Sequence, residues 1–136
     1  MQCVFRALRP TLLLVDDDAS VRRSLVRLLR ANGYETIEAD NVARALQVLT
    51  TQLPAAIVMD MVMPGQDSLD IVRGIKRDLR TAALPIIALT ASPPRAPQDR
   101  ALFEGIILKP ADTHELLDAI GTALSSRATA RSSSGN

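Results

Sequence analysis

The sequence is poor in aromatic residues, cysteine and net charge. Only 2% of its 136 residues are aromatic, so any buried core must be aliphatic. Its one cysteine, Cys3, excludes an internal disulfide and a cysteine-based zinc site. A formal net charge of +1 argues against a polyanion-binding surface as the main function, because such surfaces carry a marked basic excess. No apolar run approaches the length of about 18 residues that a membrane-spanning helix needs.

Apolar segments alternate with amphipathic segments along most of the chain. Short continuous apolar runs are typical of strands that are buried on both faces. We predict five of them: Thr11–Val15, Tyr34–Ala39, Ala55–Met59, Pro85–Leu89 and Ile106–Leu108. Apolar residues recur at helical spacing between these runs. The alternation predicts an α/β domain with a five-stranded parallel sheet and helices on both of its faces.

The chain ends and the fourth helix depart from this pattern. We interpret residues 1–10 as an N-terminal extension and residues 11–124 as the domain. Residues 125–136 are rich in serine, and we expect a disordered tail or the start of a linker there. Three prolines in residues 92–97 leave only about Gln98 to Glu104 for the fourth helix, so this helix should be short or irregular.

Polar residues stand where four of the predicted strands end. Asp16 and Asp17 follow the first strand, and Asp60, Thr90 and Lys109 follow the third, fourth and fifth. The carboxyl ends of parallel strands meet at one edge of the sheet, where open α/β sheets bind their ligands. Carboxylate oxygens suit Mg²⁺, one carboxylate can act as a nucleophile, and a hydroxyl and an amine can hold phosphoryl oxygens. The set predicts phosphoryl-transfer chemistry.

Each of these residues also has a purely structural interpretation. An aspartate after a strand is often a turn former or a helix N-cap, and for Asp18 we favour the cap. Thr90 alone would be an ordinary strand-end residue, and Lys109 alone would be part of a loop. The functional interpretation depends on the whole set at four strand ends.

Four segments resemble the receiver domains of bacterial response regulators. They are Leu12–Arg22, Ile57–Gly65, Ala88–Ala91 and Leu108–Pro110, within a resemblance that runs from about Thr11 to Leu124. The resemblance implies the flavodoxin-like receiver fold, in which the strand order is 2-1-3-4-5.

The resemblance also implies a role for each residue of the site. Asp60 is the implied phosphoacceptor, and Thr90 and Lys109 are implied to contact the phosphoryl oxygens. The implied Mg²⁺ ligands are Asp16, Asp17, Asp60 and the backbone carbonyl of Val62.

A two-component signalling role follows from the resemblance. The implied phosphodonor is a phosphohistidine on a sensor histidine kinase or a histidine phosphotransfer protein, and the downstream effector is unknown. We expect a cytoplasmic monomer that binds neither nucleic acid nor membrane. It would not be an enzyme beyond catalysing its own phosphorylation and dephosphorylation. The basic helix Arg22–Arg30 is either a docking face for such partners or a solvated surface.

Three features depart from the usual receiver pattern. Ile106 stands where receivers usually carry a tyrosine or phenylalanine that reports phosphorylation. The segment from Thr90 to Lys109 is shorter than usual, and prolines crowd the start of the fourth helix. All three departures fall on the face that usually carries the output, so we expect an unusual output route.

Two alternatives stay open on sequence alone. Residues 16–20 also fit, loosely, the start of haloacid-dehalogenase-type phosphatases, in which Asp16 would be the nucleophile and Asp18 the acid/base. That alternative leaves Asp60 and Lys109 without a role. The second alternative is a receiver-like interaction module that is never phosphorylated.

Overall fold

The protein is described here by a computed structural model that covers the backbone of residues 9–134 and side chains as far as Ser126. The strands are β1 (Thr11–Val15), β2 (Glu35–Ala39), β3 (Ala56–Asp60), β4 (Ile86–Thr90) and β5 (Gly105–Leu108). The helices are α1 (Ala19–Ala31), α2 (Val42–Thr51), α3 (Ser68–Arg77), α4 (Pro97–Arg100) and α5 (Thr113–Ser134). The predicted alternation of strands and helices is confirmed.

All five strands are parallel, in the order β2-β1-β3-β4-β5, which confirms the predicted topology. The register aligns the carboxyl ends of the strands. Val15 is paired with Met59, and Thr90 is paired with Leu108. The residues that end or follow these strands therefore share one edge of the sheet.

Side chains alternate between the two faces of the sheet and build one core on each. Leu13 and Val15 belong to the core under α2 and α3, whereas Leu12 and Leu14 belong to the core under α1 and α5. β3 and β4 are buried along their whole length, as expected for central strands covered on both faces. The buried central strands therefore end at the sheet edge that carries the polar residues.

The fourth helix is short, as predicted. α4 has only four residues, Pro97–Arg100, and no side chain caps its N-terminus. It starts one residue earlier and ends earlier than the predicted segment. Pro97 can occupy the first turn because the backbone N–H that it lacks would have no partner within the helix there.

The last helix is longer than predicted. Its backbone continues to Ser134, whereas we expected a disordered tail or a linker from residue 125. A helix that is already formed gains one hydrogen bond for each residue it adds, and the alanines and arginines of this segment favour helix. Residues 1–8 and 135–136 lie outside the described residues. In the part of the chain that the structure describes, α5 included, no helix has both the length and the apolarity to cross a membrane.

Candidate functional site

Three carboxylates meet at the carboxyl edge of the sheet. Asp16 and Asp17 follow β1, as predicted. Asp60 was predicted to follow the third strand, and in the structure it is the last residue of β3. One oxygen from each lies within 4.8 Å of the others. Asp16 is only 1% exposed and Asp60 only 3% exposed, whereas Asp17 faces solvent. The predicted acidic cluster is therefore formed.

Neighbouring residues form hydrogen bonds with most of the polar atoms of Asp16. Its backbone N–H donates to the carbonyl of Ala39 at 3.1 Å, and its Oδ1 accepts from the backbone N–H of Asp18 at 2.9 Å. Its Oδ2 is buried and has no hydrogen-bond partner. Burial raises the pKa of Asp16; repulsion from Asp60 and Asp17 acts in the same direction, while the Asp18 N–H and Lys109 oppose it.

The Asp60 carboxylate is fixed through one of its two oxygens. Oδ1 pairs with the Lys109 ammonium at 3.1 Å and accepts the backbone N–H of Val62 at 2.9 Å. Within the described residues, no donor is recorded at Oδ2. The arrangement orients the carboxyl group and leaves one oxygen available for a new bond.

The cluster suits a hard divalent cation. Its donors are carboxylate oxygens, which are the ligands that Mg²⁺ and Ca²⁺ prefer. The buried, unpartnered Oδ2 of Asp16 is costly without a positive partner, and a bound cation would supply one. The backbone N–H of Val62 is engaged with Asp60, and the role of the Val62 carbonyl as a ligand stays a prediction.

Thr90 ends β4, next to the acidic cluster, but its hydroxyl is turned to its own loop. Oγ1 accepts the N–H of Ser92 at 3.0 Å and donates to the Ser92 carbonyl at 3.1 Å. The Thr90 carbonyl accepts the N–H of Lys109 at 3.0 Å, which ties together the ends of β4 and β5. In this state the hydroxyl is committed to Ser92, so the predicted contact with a phosphoryl group would require it to move.

A cavity of about 560 Å³ separates the loop after β3 from the loop after β4. Its wall includes Val62, Gln66, Ser68, Thr90, Ser92 and Pro94. The Ser68 hydroxyl is buried and has no hydrogen-bond partner. The cavity gives the Thr90 side of the site room to rearrange.

The sequence analysis missed the structural role of Arg22. Its Nη1 donates to the backbone carbonyl of Asp16 at 2.7 Å, and its Nε pairs with Oε1 of Glu38 at 3.3 Å. We had grouped it with the basic residues that α1 presents to solvent or to partners. The available signal was its place in the first turn of α1, because helical side chains point back toward the helix N-terminus.

The confirmed role of Asp18 is structural. Its Oδ1 accepts the backbone N–H groups of Ser20 and Val21, at 2.9 and 3.1 Å, so it is the N-cap of α1. A carboxylate engaged in this way is not placed to act as an acid/base. This geometry argues against the phosphatase alternative.

The fold and the site define a class of protein: a flavodoxin-like α/β domain with three carboxylates and a lysine at the carboxyl edge of its sheet. The chain belongs to the response regulator receiver domain family, whose model matches residues 12–121. The resemblance in the four sequence segments is thereby confirmed.

Individual relatives agree with the family. The chain is 34% identical over 117 residues to the phosphate regulon transcriptional regulatory protein PhoB of Pseudomonas aeruginosa, covering 84% of this chain and 51% of PhoB. It is 27% identical to protein PilH of the same organism, covering 83% of this chain and 96% of PilH. A crystal structure of a response regulator receiver protein from Pseudomonas putida superimposes with a TM-score of 0.76 at 30% identity, covering 84% of this chain and 97% of that one. The chain spans about half the length of the PhoB relatives that it matches.

Proposed function

We propose that this receiver domain takes a phosphoryl group onto Asp60, with Mg²⁺ bound beside it, in a cytoplasmic two-component system. The donor would be a phosphohistidine on a sensor histidine kinase or a histidine phosphotransfer protein. The observation that carries the proposal is the buried Asp60 carboxylate, fixed through Oδ1 by Lys109 and Val62 and adjoining Asp16 and Asp17.

The proposed step is a displacement at phosphorus. A carboxylate oxygen of Asp60 forms a bond to phosphorus while the phosphorus–nitrogen bond of the phosphohistidine breaks, and the electron pair stays on the imidazole. Lys109, whose Nζ lies 3.1 Å from Oδ1 of Asp60, would pair with the oxygens of the incoming group. A bound Mg²⁺ would offset the charge of the three carboxylates and of the phosphoryl group.

Thr90 would complete the site only after a change in its loop. Its hydroxyl must give up its hydrogen bonds to the Ser92 backbone and donate to a phosphoryl oxygen instead. The adjoining cavity leaves room for residues 91–96 to shift. We expect this loop, rather than a dimer built on α4 and α5, to carry the signal to an effector that has yet to be identified. Beyond its own phosphorylation and dephosphorylation, the domain would catalyse no reaction.

Mass spectrometry after incubation with Mg²⁺ and acetyl phosphate tests the assignment. We expect one phosphate, located on Asp60, and its loss in Asp60→Asn, because an amide cannot attack phosphorus as a carboxylate does. Asp118→Asn is the matched control, since Asp118 is exposed on α5 and its carboxylate forms no ion pair with any side chain from residue 9 to 126. Phosphate on Asp16 would contradict the assignment. No phosphate with either acetyl phosphate or a phosphohistidine donor would favour the unphosphorylated interaction module.

A further inference from the structure

We infer that Arg22 is a positioning residue that orients Asp16 and Asp17 for the cation. This inference depends on the proposed function, because it concerns the Mg²⁺ site of the same domain. Nothing in the family resemblance assigned this role to Arg22, and its contacts in the structure point to it.

Asp16 is restrained on both sides of its Cα atom. Its N–H is paired with Ala39, its carbonyl accepts from Arg22, and its Oδ1 accepts from Asp18. Among the residues that the structure describes, none contributes a hydrogen-bond partner to Oδ2 of Asp16, which is buried. The three contacts fix where that free oxygen lies, and the Arg22 bond is the shortest of them, at 2.7 Å.

The same contact acts on Asp17 through the peptide bond. The carbonyl of Asp16 and the nitrogen of Asp17 belong to one planar peptide unit, so fixing the carbonyl also fixes the start of Asp17. Among the described residues, no donor is recorded at the Asp17 carboxylate. Its direction at the site is therefore set by the backbone that Arg22 holds.

The guanidinium is itself anchored at its other side. Nε pairs with Glu38 of β2 at 3.3 Å, and the Arg22 side chain is only 17% exposed. Arg23, Arg27 and Arg30 of the same helix are exposed. A planar guanidinium can hold a carbonyl and a carboxylate at once, whereas a lysine ammonium on a flexible stem does not fix both contacts in one geometry.

A positioning role of Arg22 and a purely electrostatic role predict opposite changes in Mg²⁺ affinity when Arg22 is substituted. A positive charge close to a cation site repels Mg²⁺, so its loss by itself should tighten binding. Loss of the contact to Asp16 should loosen the two carboxylates and weaken binding. The sign of the change in Mg²⁺ affinity therefore distinguishes the two roles.

Titration calorimetry with Mg²⁺ on the full chain provides the test. Mutation of a group that orients metal ligands typically lowers metal affinity by about 10–100-fold. We therefore expect Arg22→Gln to weaken Mg²⁺ binding by about tenfold. Arg22→Lys keeps the charge but loses the double contact, and it should weaken binding by several-fold. Arg23→Gln removes the same charge one residue away, at an exposed position, and should bind as the wild type does. Equal or tighter binding by both Arg22 variants would overturn the inference.

A metal-free measurement separates positioning from a general loss of stability. In NMR hydrogen exchange, the Asp18 amide that donates to Asp16 should exchange faster in both Arg22 variants, while the central-strand amides keep their protection. If Arg22→Gln does not fold, Arg22→Lys decides the question by the same two measurements. Wild-type protein that binds no Mg²⁺ would overturn the proposed function and this inference with it. Normal Mg²⁺ binding in the wild type and in both Arg22 variants would overturn this inference alone.

Discussion

The carboxyl edge of the sheet has two halves that are built differently. We call the ends of β1 and β3 the acidic half, and the ends of β4 and β5 with α4 the switch half. In the acidic half, Asp16 and Asp60 are each held by more than one hydrogen bond or ion pair. In the switch half, the described residues give the Thr90 hydroxyl no partner but Ser92 of its own loop, and α4 is a single turn without a side-chain cap. Chemistry needs fixed groups, whereas switching uses elements with few contacts, and the two halves meet these opposite needs.

The segment that joins α4 to β5 is nonetheless anchored, by an aromatic residue that the sequence analysis did not single out. Ile106, in the position where receivers usually have an aromatic, is half-buried and stiff at χ1. Phe103, just after α4, is 8% exposed and belongs to the same core cluster as Met63 and Val72. The Phe103 ring therefore serves packing, and we expect it to stay in place during switching.

The largest expected effect comes from removing this anchor. Phe103→Ala should destabilise the protein by about 3 kcal/mol, as deletion of a buried ring usually does. Urea unfolding measures the change. Leu79→Ala is the control, because Leu79 is 97% exposed and its loss should change stability by about 0.5 kcal/mol or less. Similar values for the two variants would mean that Phe103 does not anchor the segment between α4 and β5.

A smaller effect tests the acidic half. When free Mg²⁺ is about five times its Kd, binding should stabilise the folded domain by about 1 kcal/mol. Asp17→Asn should lose most of this gain, because it replaces a charged ligand at the cation site. Thermal unfolding with and without Mg²⁺ measures it. Equal stabilisation of the wild type and Asp17→Asn would place the bound cation elsewhere.

Asp16 makes the stability of the metal-free protein depend on pH. Its pKa is raised in the folded state by burial, so the folded protein binds this proton more tightly than the unfolded chain does. The contribution of Asp16 is therefore most favourable below its ordinary pKa of 3.8, and it is lost as the pH rises through the raised value. We expect Asp16→Asn to be more stable than wild type at neutral pH without Mg²⁺, with the gain shrinking toward acid pH. If the stability gain of Asp16→Asn did not change with pH, the raised pKa of Asp16 would not be its cause.

The smallest expected effect concerns the link between α4 and the rest of the domain. Arg73 of α3 pairs with Asp99 of α4 at 2.9 Å. Arg73→Gln should speed exchange of the Ala101 amide, which donates to the carbonyl of Pro97, without a measurable change in global stability. Arg77→Gln, at an exposed position on the same helix, should leave this exchange rate unchanged. Equal exchange rates in the two variants would show that the ion pair does not restrain α4.

Most of the fold could be predicted because its signals are local. Buried apolar runs marked the strands to within a residue or so, and the prolines marked a short α4. Parallel strands bring their carboxyl ends together, so the grouping of Asp16, Asp17, Asp60 and Lys109 also followed from the sequence. The extension of α5 to Ser134 was missed, because the serine-rich composition was considered alone, whereas a helix that is already formed can be extended without the cost of nucleation.

The rest of the site depends on three-dimensional contacts that no local pattern encodes. The bond from Arg22 to Asp16 requires knowing which side of α1 faces β2. The attachment of Thr90 to Ser92 depends on the path of a loop, and the burial of the Ser68 hydroxyl depends on how the start of α3 packs.

Hydrogen exchange of the wild-type protein with Mg²⁺, with and without beryllofluoride, tests the central claim most directly. Beryllofluoride would stand in for the phosphoryl group on Asp60. The account predicts new protection in residues 60–66 and 91–96, the two loops that meet at the cavity, and unchanged exchange along α5. Unchanged exchange around Asp60, or new protection along α5 together with dimer formation, would contradict it.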